Sequence, residues 1–241
     1  AENTANGLNT PAGDPAAFAA AFFDDLLEDR DVAIRRSAQA GVAPLDAVVE
    51  LASIDSPPLA DIVTQMLVTS DNTTAELLLK NLGAIVSPPG SSATGTGVLL
   101  TALSAAGHDL SGVVVADGSG LDPANRVTCR ILTAVLEDAD HGPALVAGLA
   151  VAGRSGTMRR RLVGSSAEGR ARAKTGTLRD VTSLAGQVET IEGRVLSFAV
   201  LTNAEPLPDR VKRLHDQVVL KLVAYPSGPD LDLLGPLPVV G

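Results

Sequence analysis

The chain has 241 residues, 45% of them hydrophobic and only 2% aromatic, and a formal net charge of -9. This is enough apolar material to bury a core as one large domain or one and a half small ones, which excludes a disordered chain. The acidic balance and the scarcity of rings argue against a nucleic-acid partner, and no apolar run reaches the roughly 18 residues of a bilayer-spanning helix, which argues against an integral membrane protein.

Residues 1–13 are polar, with Asn, Gly and Pro, and read as a loop or a cleaved end. They contain no initiating Met, basic region or apolar stretch of a leader, so a targeting peptide is expected upstream or already removed. From Asp14, "DPAAFAAAFFDDLLEDR" combines an N-cap with Pro at the first helical position and places Phe18, Ala21, Phe22 and Leu26 on one face. A short helix is expected at 45–52. "SPPLADIVTQMLVTS" repeats the cap-then-Pro opening with Ser56 and Pro57, and its mostly apolar body predicts a buried helix. The next helix runs through "AELLLKNLG" to Gly83, a candidate C-cap.

"PPGSSATGTG" reads as a loop before an Ala/Leu-rich helix ending near Gly107. "GVVVADGSGLDPANRVT" suggests a short strand and tight turns, and residues 128–138 return to helix. The lone Cys129 cannot pair within the chain and is expected in the core. Three strand patterns follow, "ARAKTGT", "VTSLAGQVE" and "RVLSFAVLTN", with Glu192-Gly193 turning between the last two. They predict an antiparallel meander. A helix from about 208 to 223 and a Pro/Leu-rich tail, 224–241, complete the chain.

Metal chemistry finds no support, because His108, His141 and His215 are scattered and no Cys or carboxylate spacing forms a ligand set. "GSSATGTG" lacks the Lys-Ser/Thr of a phosphate loop, and Asp117 in "DGSGLD" stands where a nucleophile elbow needs glycine. Between Arg154 and Arg179 the basic residues Arg154, Arg159, Arg160, Arg161, Arg170, Arg172, Lys174 and Arg179 face one acid, Glu168. Such a focus suits a small anion, although a solvated arginine cluster reads equally well.

Two short motifs remain. Ser70-Asp71-Asn72 precedes a helix; the bland alternative is that Thr73 and Glu76 form an ordinary capping box. Lys174-Thr175-Gly176 lies on a predicted strand, where Lys174 and Gly176 share a face opposite Thr175 and the missing side chain at 176 opens the backbone to a ligand. In order and separation the two resemble the S-x-N and K-T-G elements of the penicillin-recognising serine peptidases, which also carry S-x-x-K. More narrowly, "SPPLADIVTQMLVTSDNTTAELLLKNLG", "DGSGLDPANRVT", "VAGRSGTMRRRL" and "RARAKTGTLRDVTSLAGQV" resemble the low-molecular-mass class C penicillin-binding proteins, the D-alanyl-D-alanine carboxypeptidase/endopeptidases.

The resemblance implies an α+β fold of the β-lactamase/DD-peptidase type, an antiparallel sheet flanked by helices, with residues 14–223 as its helical part and C-terminal strands. It implies that Ser70 relays a proton, Asn72 binds the substrate amide, Lys174 supplies positive potential and a hydrogen bond to Ser70, and Thr175 and Thr177 receive a carboxylate beside Gly176. The backbone N–H of Thr177 would be one of two oxyanion donors. It implies no cofactor, an extracytoplasmic location, and peptidoglycan stem peptides and β-lactams as ligands.

One element is missing. The lysines are Lys80, Lys174, Lys212 and Lys221, and the residues three before them are Leu77, Ala171, Asp209 and Val218, so no Ser-x-x-Lys occurs. The fold is therefore expected to be incomplete here, with two N-terminal strands and the nucleophile helix coming from another segment. "RVLSFAVLTN" would otherwise be a long apolar sheet edge, an aggregation liability. The alternatives are a β-lactamase or esterase of the same fold, or a binding or scaffold protein without catalysis.

Overall fold

The computed structural model describes residues 2–3, 10–42, 49, 52–208 and 210–228. The chain divides into two compact units, Ala1–Ser56 and Pro57–Gly241. In the first, β1 (Glu2–Asn3) pairs antiparallel with β2 (Thr10–Pro11), within the stretch expected to be a loop. Helix α1 spans Pro15–Glu28; the Asp14 carboxylate accepts from Ala17 N–H at 2.9 Å, and Pro15 opens the helix as its sequence implies. Phe18 and Phe22, four residues apart, stack with ring centroids 6.4 Å apart. The helix expected at 45–52 falls largely outside the described residues.

The second unit holds α2 (Leu59–Thr69), α3 (Asn72–Val86), α4 (Ser92–Ala105), α5 (Cys129–Glu137), α6 (Gly142–Ala147), β3 (Ala150–Val151), β4 (Ala171–Thr177), β5 (Val181–Glu189), β6 (Val195–Asn203) and α7 (Val211–Val223). Helix α2 begins two residues later than its Ser56-Pro57 signal suggests. Pro57 precedes Pro58 and is thereby driven out of the helical region, and Pro58 itself is extended at φ -51°, ψ 144°. Nor is α2 buried: none of its residues is, and Leu59 is 63% exposed. Its apolar side chains Leu59, Val63 and Met66 line an open cleft of about 880 Å³ shared with Leu78, Leu82 and Val113.

Gly83 does not stop α3, which runs on to Val86. A Cβ at 83 would lie 2.3 Å from Thr94 Oγ1 and 2.8 Å from Gly95 N, so the glycine lets α3 and α4 approach closely. Gly95 does the same from the other helix, where a Cβ would meet Leu79 O at 2.0 Å. The segment "SSATGTG" is accordingly the start of α4 rather than a loop: Ser91 and Thr94 form a reciprocal capping box. The expected strand near 113–115 reduces to one bridge, Val114 with Arg126. Cys129 is exposed, as the first residue of α5, instead of lying in the core.

The sheet order is β3-β4-β5-β6, antiparallel throughout. Strand β5 alternates half-buried and buried residues over Val181–Val188, the period-2 pattern of its sequence. One face carries Ala171, Ala173, Leu184 and Val188 against Val219 and Val223 of α7, whose buried residues Val211, His215, Val219 and Val223 recur every four positions. Each fully buried Leu or Val there contributes roughly 1.5–3 kcal/mol. Helix α5 lies toward the other face, where Gln187 donates to Leu136 O at 3.2 Å. The β5–β6 hairpin closes through Thr190 N–H to Arg194 O at 2.7 Å, with Gly193 at φ +81° as its turn requires. Among the described residues β6 is a sheet edge.

Candidate active site

Helix α2 ends at Ser70, whose N–H bonds back to Met66 O and whose φ, ψ of 60°, 50° are left-handed. A non-glycine residue there costs of order 1–3 kcal/mol, and such strain gathers where a side chain must be aimed. Asp71 then starts α3: its Oδ1 accepts from Thr73 N–H at 2.9 Å and Thr74 N–H at 3.1 Å, and its Oδ2 accepts from Thr74 Oγ1 at 2.8 Å. Burial alone would raise the Asp71 carboxyl, but the hydrogen bonds from Thr74 and Thr73 outweigh it and hold the pKa below the usual value. The Thr73/Glu76 capping box is not formed. Asp71 is the cap, and Glu76 bonds elsewhere, to Gly118 and Ser119. Asn72 is the first helical residue, and it is exposed.

Across the site, Lys174 projects from β4. Its Nζ donates to Ser70 Oγ at 2.5 Å and to Thr175 O at 2.8 Å, joining two motifs 104 residues apart. Burial pushes the Lys174 ammonium pKa down. This weakens its hold on the proton.

The register of β4 explains what its neighbours can do. Glu189 N–H bonds to Arg170 O and Leu178 N–H to Val181 O, so the even-numbered residues of β4 turn their amides to β5. Thr175 and Thr177 therefore turn N–H and C=O the other way. On that side β3 pairs with Arg172 and Ala173 alone, leaving Lys174 to Thr177 as an open edge among the described residues. Thr175 O does point outward, since it accepts from Lys174. The Thr175 and Thr177 side chains lie on the face opposite Lys174, across from Leu184 and Thr182. Gly176 shares the Lys174 face, and a Cβ there would lie 2.3 Å from Ser183 Oγ, so the neighbouring strand's hydroxyl occupies the space the glycine leaves.

The structure brings together Ser70 and Lys174, and places Asn72 two residues from Ser70 and Gly176 on the same strand face as Lys174. It disperses much of the arginine cluster. Arg161 pairs with Asp216 at 2.6 Å, Arg170 with Glu189 at 3.5 Å, and Arg179 approaches Asp180 and Glu205. Arg172 Nη1 donates to Ala147 O at the end of α6. These charges serve the fold more than an incoming anion. Glu76 escaped the sequence reading because a capping role explained it locally; no local signal marks a partner 42 residues away.

The D-Ala-D-Ala carboxypeptidase 3 (S13) family matches residues 3–222. The chain is 33% identical over 222 residues to the D-alanyl-D-alanine carboxypeptidase of Actinomadura sp. (strain R39), covering 88% of this chain and 41% of that protein. It is 38% identical over 162 residues to carboxypeptidase DacB of Mycolicibacterium smegmatis, covering 64% and 35%. Among solved structures, penicillin-binding protein 4 (dacB) of Haemophilus influenzae in complex with a β-lactam superposes with a TM-score of 0.71 at 25% identity, covering 86% of this chain and 51% of that one. The chain thus spans less than half the length of the curated relatives it matches. With the family matched along nearly its whole length and the Ser70–Lys174 pair in place, the chain belongs to the D-Ala-D-Ala carboxypeptidase 3 (S13) family.

Proposed function

We propose that this chain is the part of a serine D-alanyl-D-alanine carboxypeptidase/endopeptidase that supplies the Ser70-Asp71-Asn72 and Lys174-Thr175-Gly176 motifs, while a Ser-x-x-Lys nucleophile comes from another segment. The observation that carries this reading is the hydrogen bond from Lys174 Nζ to Ser70 Oγ. In the reaction, the incoming serine attacks the carbonyl of the penultimate D-Ala or of a β-lactam, and water later hydrolyses the acyl-enzyme. Ser70 passes a proton between the nucleophile's lysine and the departing amine. Lys174 keeps Ser70 oriented and receives the substrate's terminal carboxylate at the free edge of β4, beside the outward backbone groups of Thr175 and Thr177, whose side chains lie on the opposite face. Asn72 binds the substrate amide, and the outward N–H of Thr177 serves as one oxyanion donor, a role worth about 3–4 kcal/mol per donor.

The chemistry requires no cofactor. The substrate class, peptidoglycan stem peptides, places the protein outside the cytoplasm, and no described helix is long and apolar enough to cross a membrane. The open apolar cleft beside α2 and α3 suits the complementing segment, since a cleft of about 880 Å³ lined by Leu, Val and Met is costly to leave wet. A second reading, a scaffold of the same fold without catalysis, is favoured by the lack of Ser-x-x-Lys in these residues. Fluorescent penicillin separates the two. The complete protein should take up label at a serine outside this chain, whereas absence of covalent label on every polypeptide would sink the enzyme reading.

A further inference from the structure

Glu76 has no part in the reaction proposed above, yet its carboxylate reaches a loop 42 and 43 residues along the chain. It lies one helical turn beyond Asn72, so the two share a face of α3. Its Oε1 accepts from the N–H groups of Gly118 and Ser119, both at 2.9 Å, and from the Ser119 hydroxyl at 2.8 Å. Ser92 Oγ approaches Oε2 at 3.4 Å. Asp117 takes the next amides, Gly120 at 2.8 Å and Asp122 at 2.7 Å, and the side-chain amide of Asn125 at 2.7 Å. Residues 117–122 have no helix or ladder to satisfy these groups, so two carboxylates do it. The Ser119 hydroxyl has one proton and lies 2.8 Å from Glu76 but 3.2 Å from Asp117, so the bond belongs to Glu76. The backbones also touch closely: a Cβ at Gly118 would lie 2.6 Å from Ala75 O.

The first turn of a helix frays because its N–H groups lack partners within the helix. Asn72 sits in that turn, exposed, and the Asp71 cap serves Thr73 and Thr74. Glu76 ties the following turn to a separate loop. The geometry points to Glu76 as a positioning residue: by clamping Gly118 and Ser119 onto α3 it fixes Asn72, and with it Ser70, relative to Lys174. This rests on the reading of Ser70, Asn72 and Lys174 as active-site residues.

In the complete protein, Glu76→Ala should lower the second-order rate of penicillin acylation roughly ten- to a hundredfold, the scale of a displacement near 1 Å. The pH profile of acylation should stay as in the wild type, because Lys174 and its burial are untouched. Glu76→Gln keeps an oxygen acceptor and should restore most of the rate. Gly118→Ala, which leaves Glu76 in place but pushes the loop off Ala75, should reproduce the defect and decides the matter if Glu76→Ala does not fold. Unchanged acylation in either disruptive variant, or a displaced pH profile, overturns the clamp. If the wild-type protein is itself not acylated, the enzymatic reading fails instead, and amide hydrogen exchange on this chain judges the clamp. Faster exchange at residues 73–76 in Glu76→Ala supports it; faster exchange confined to 118–120 overturns it.

Discussion

The sheet with α7 and the α2–α3 pair both contribute to the site, but they are built differently. Leu184, Val188, Val219 and Val223 are wholly buried in one continuous core, whereas α2 buries no residue and α3 buries Leu79 and Gly83. Lys174 is therefore mounted on a wall that holds itself, and Ser70 on a wall whose apolar side is open. Cohesion of the site must then come from few, directional bonds on the helical side and from packing on the strand side.

The largest test of this contrast is functional. Lys174→Ala in the complete protein should reduce penicillin acylation by about 10²- to 10⁴-fold, the range of a positioned proton-transfer partner, with the circular dichroism spectrum retained; near-wild-type acylation would remove Lys174 from the site. On stability, Leu184→Ala should cost this chain about 2–5 kcal/mol in urea unfolding. Leu59→Ala, at a mostly exposed position, should stay within about 0.5 kcal/mol. Equal costs would erase the distinction between the two regions. Gly83→Ala asks whether the helical side is tightly packed anywhere. Its Cβ would collide with Thr94 and the Gly95 backbone, so a loss of about 1–3 kcal/mol is expected, and a neutral result would mean that α3 and α4 yield easily.

The smallest expected effect is the pH response of the strand side. His215 is fully buried, with Nε2 2.9 Å from Thr202 Oγ1. Burial, then the nearby Arg161, lowers its pKa from the ordinary 6.5, and Asp216 opposes this in part. Below about 6.5 the unfolded chain binds a proton that the folded chain refuses, so stability falls as pH drops through that window until folded His215 also protonates. Above 6.5 the effect vanishes. His215→Gln should lose less stability than the wild type between pH 7 and pH 5; an equal or greater loss would exclude His215 as the cause.

These tests also mark what the sequence could reveal. Strands β4, β5 and β6 were legible nearly to the residue because alternation, Glu192-Gly193 and apolar β-branched content all agree. The Ser70–Lys174 pairing was legible only through the resemblance of the two motifs to S-x-N and K-T-G, since either motif alone has a bland local explanation. The exposure of α2 was not, because an apolar helix has the same sequence whether its cover is present or not. Gly83 looked like a helix end because a glycine's local signal is the same for a cap and for a close helix crossing. Short elements such as α6 and β3 carry too few residues to show a period, and the left-handed Ser70 is imposed by a turn whose reason lies across the site.

The register of β4 has a consequence for how this protein could diverge. Every side chain of a strand stands normal to the sheet and every N–H lies in its plane; the odd separation of 174 and 177 adds that, with Lys174 amide-bonded to β5, the Thr177 N–H leaves by the free edge. The short Leu178–Val181 turn sets that parity. One residue added within it that slips the register of β4 by one turns the Thr177 N–H toward β5 and, with the same half-turn of the strand, carries Lys174 to the opposite face. Loop length here acts as a selector of chemistry, and natural or engineered variation should tolerate substitutions at Arg179 and Asp180 far more readily than a change in their number.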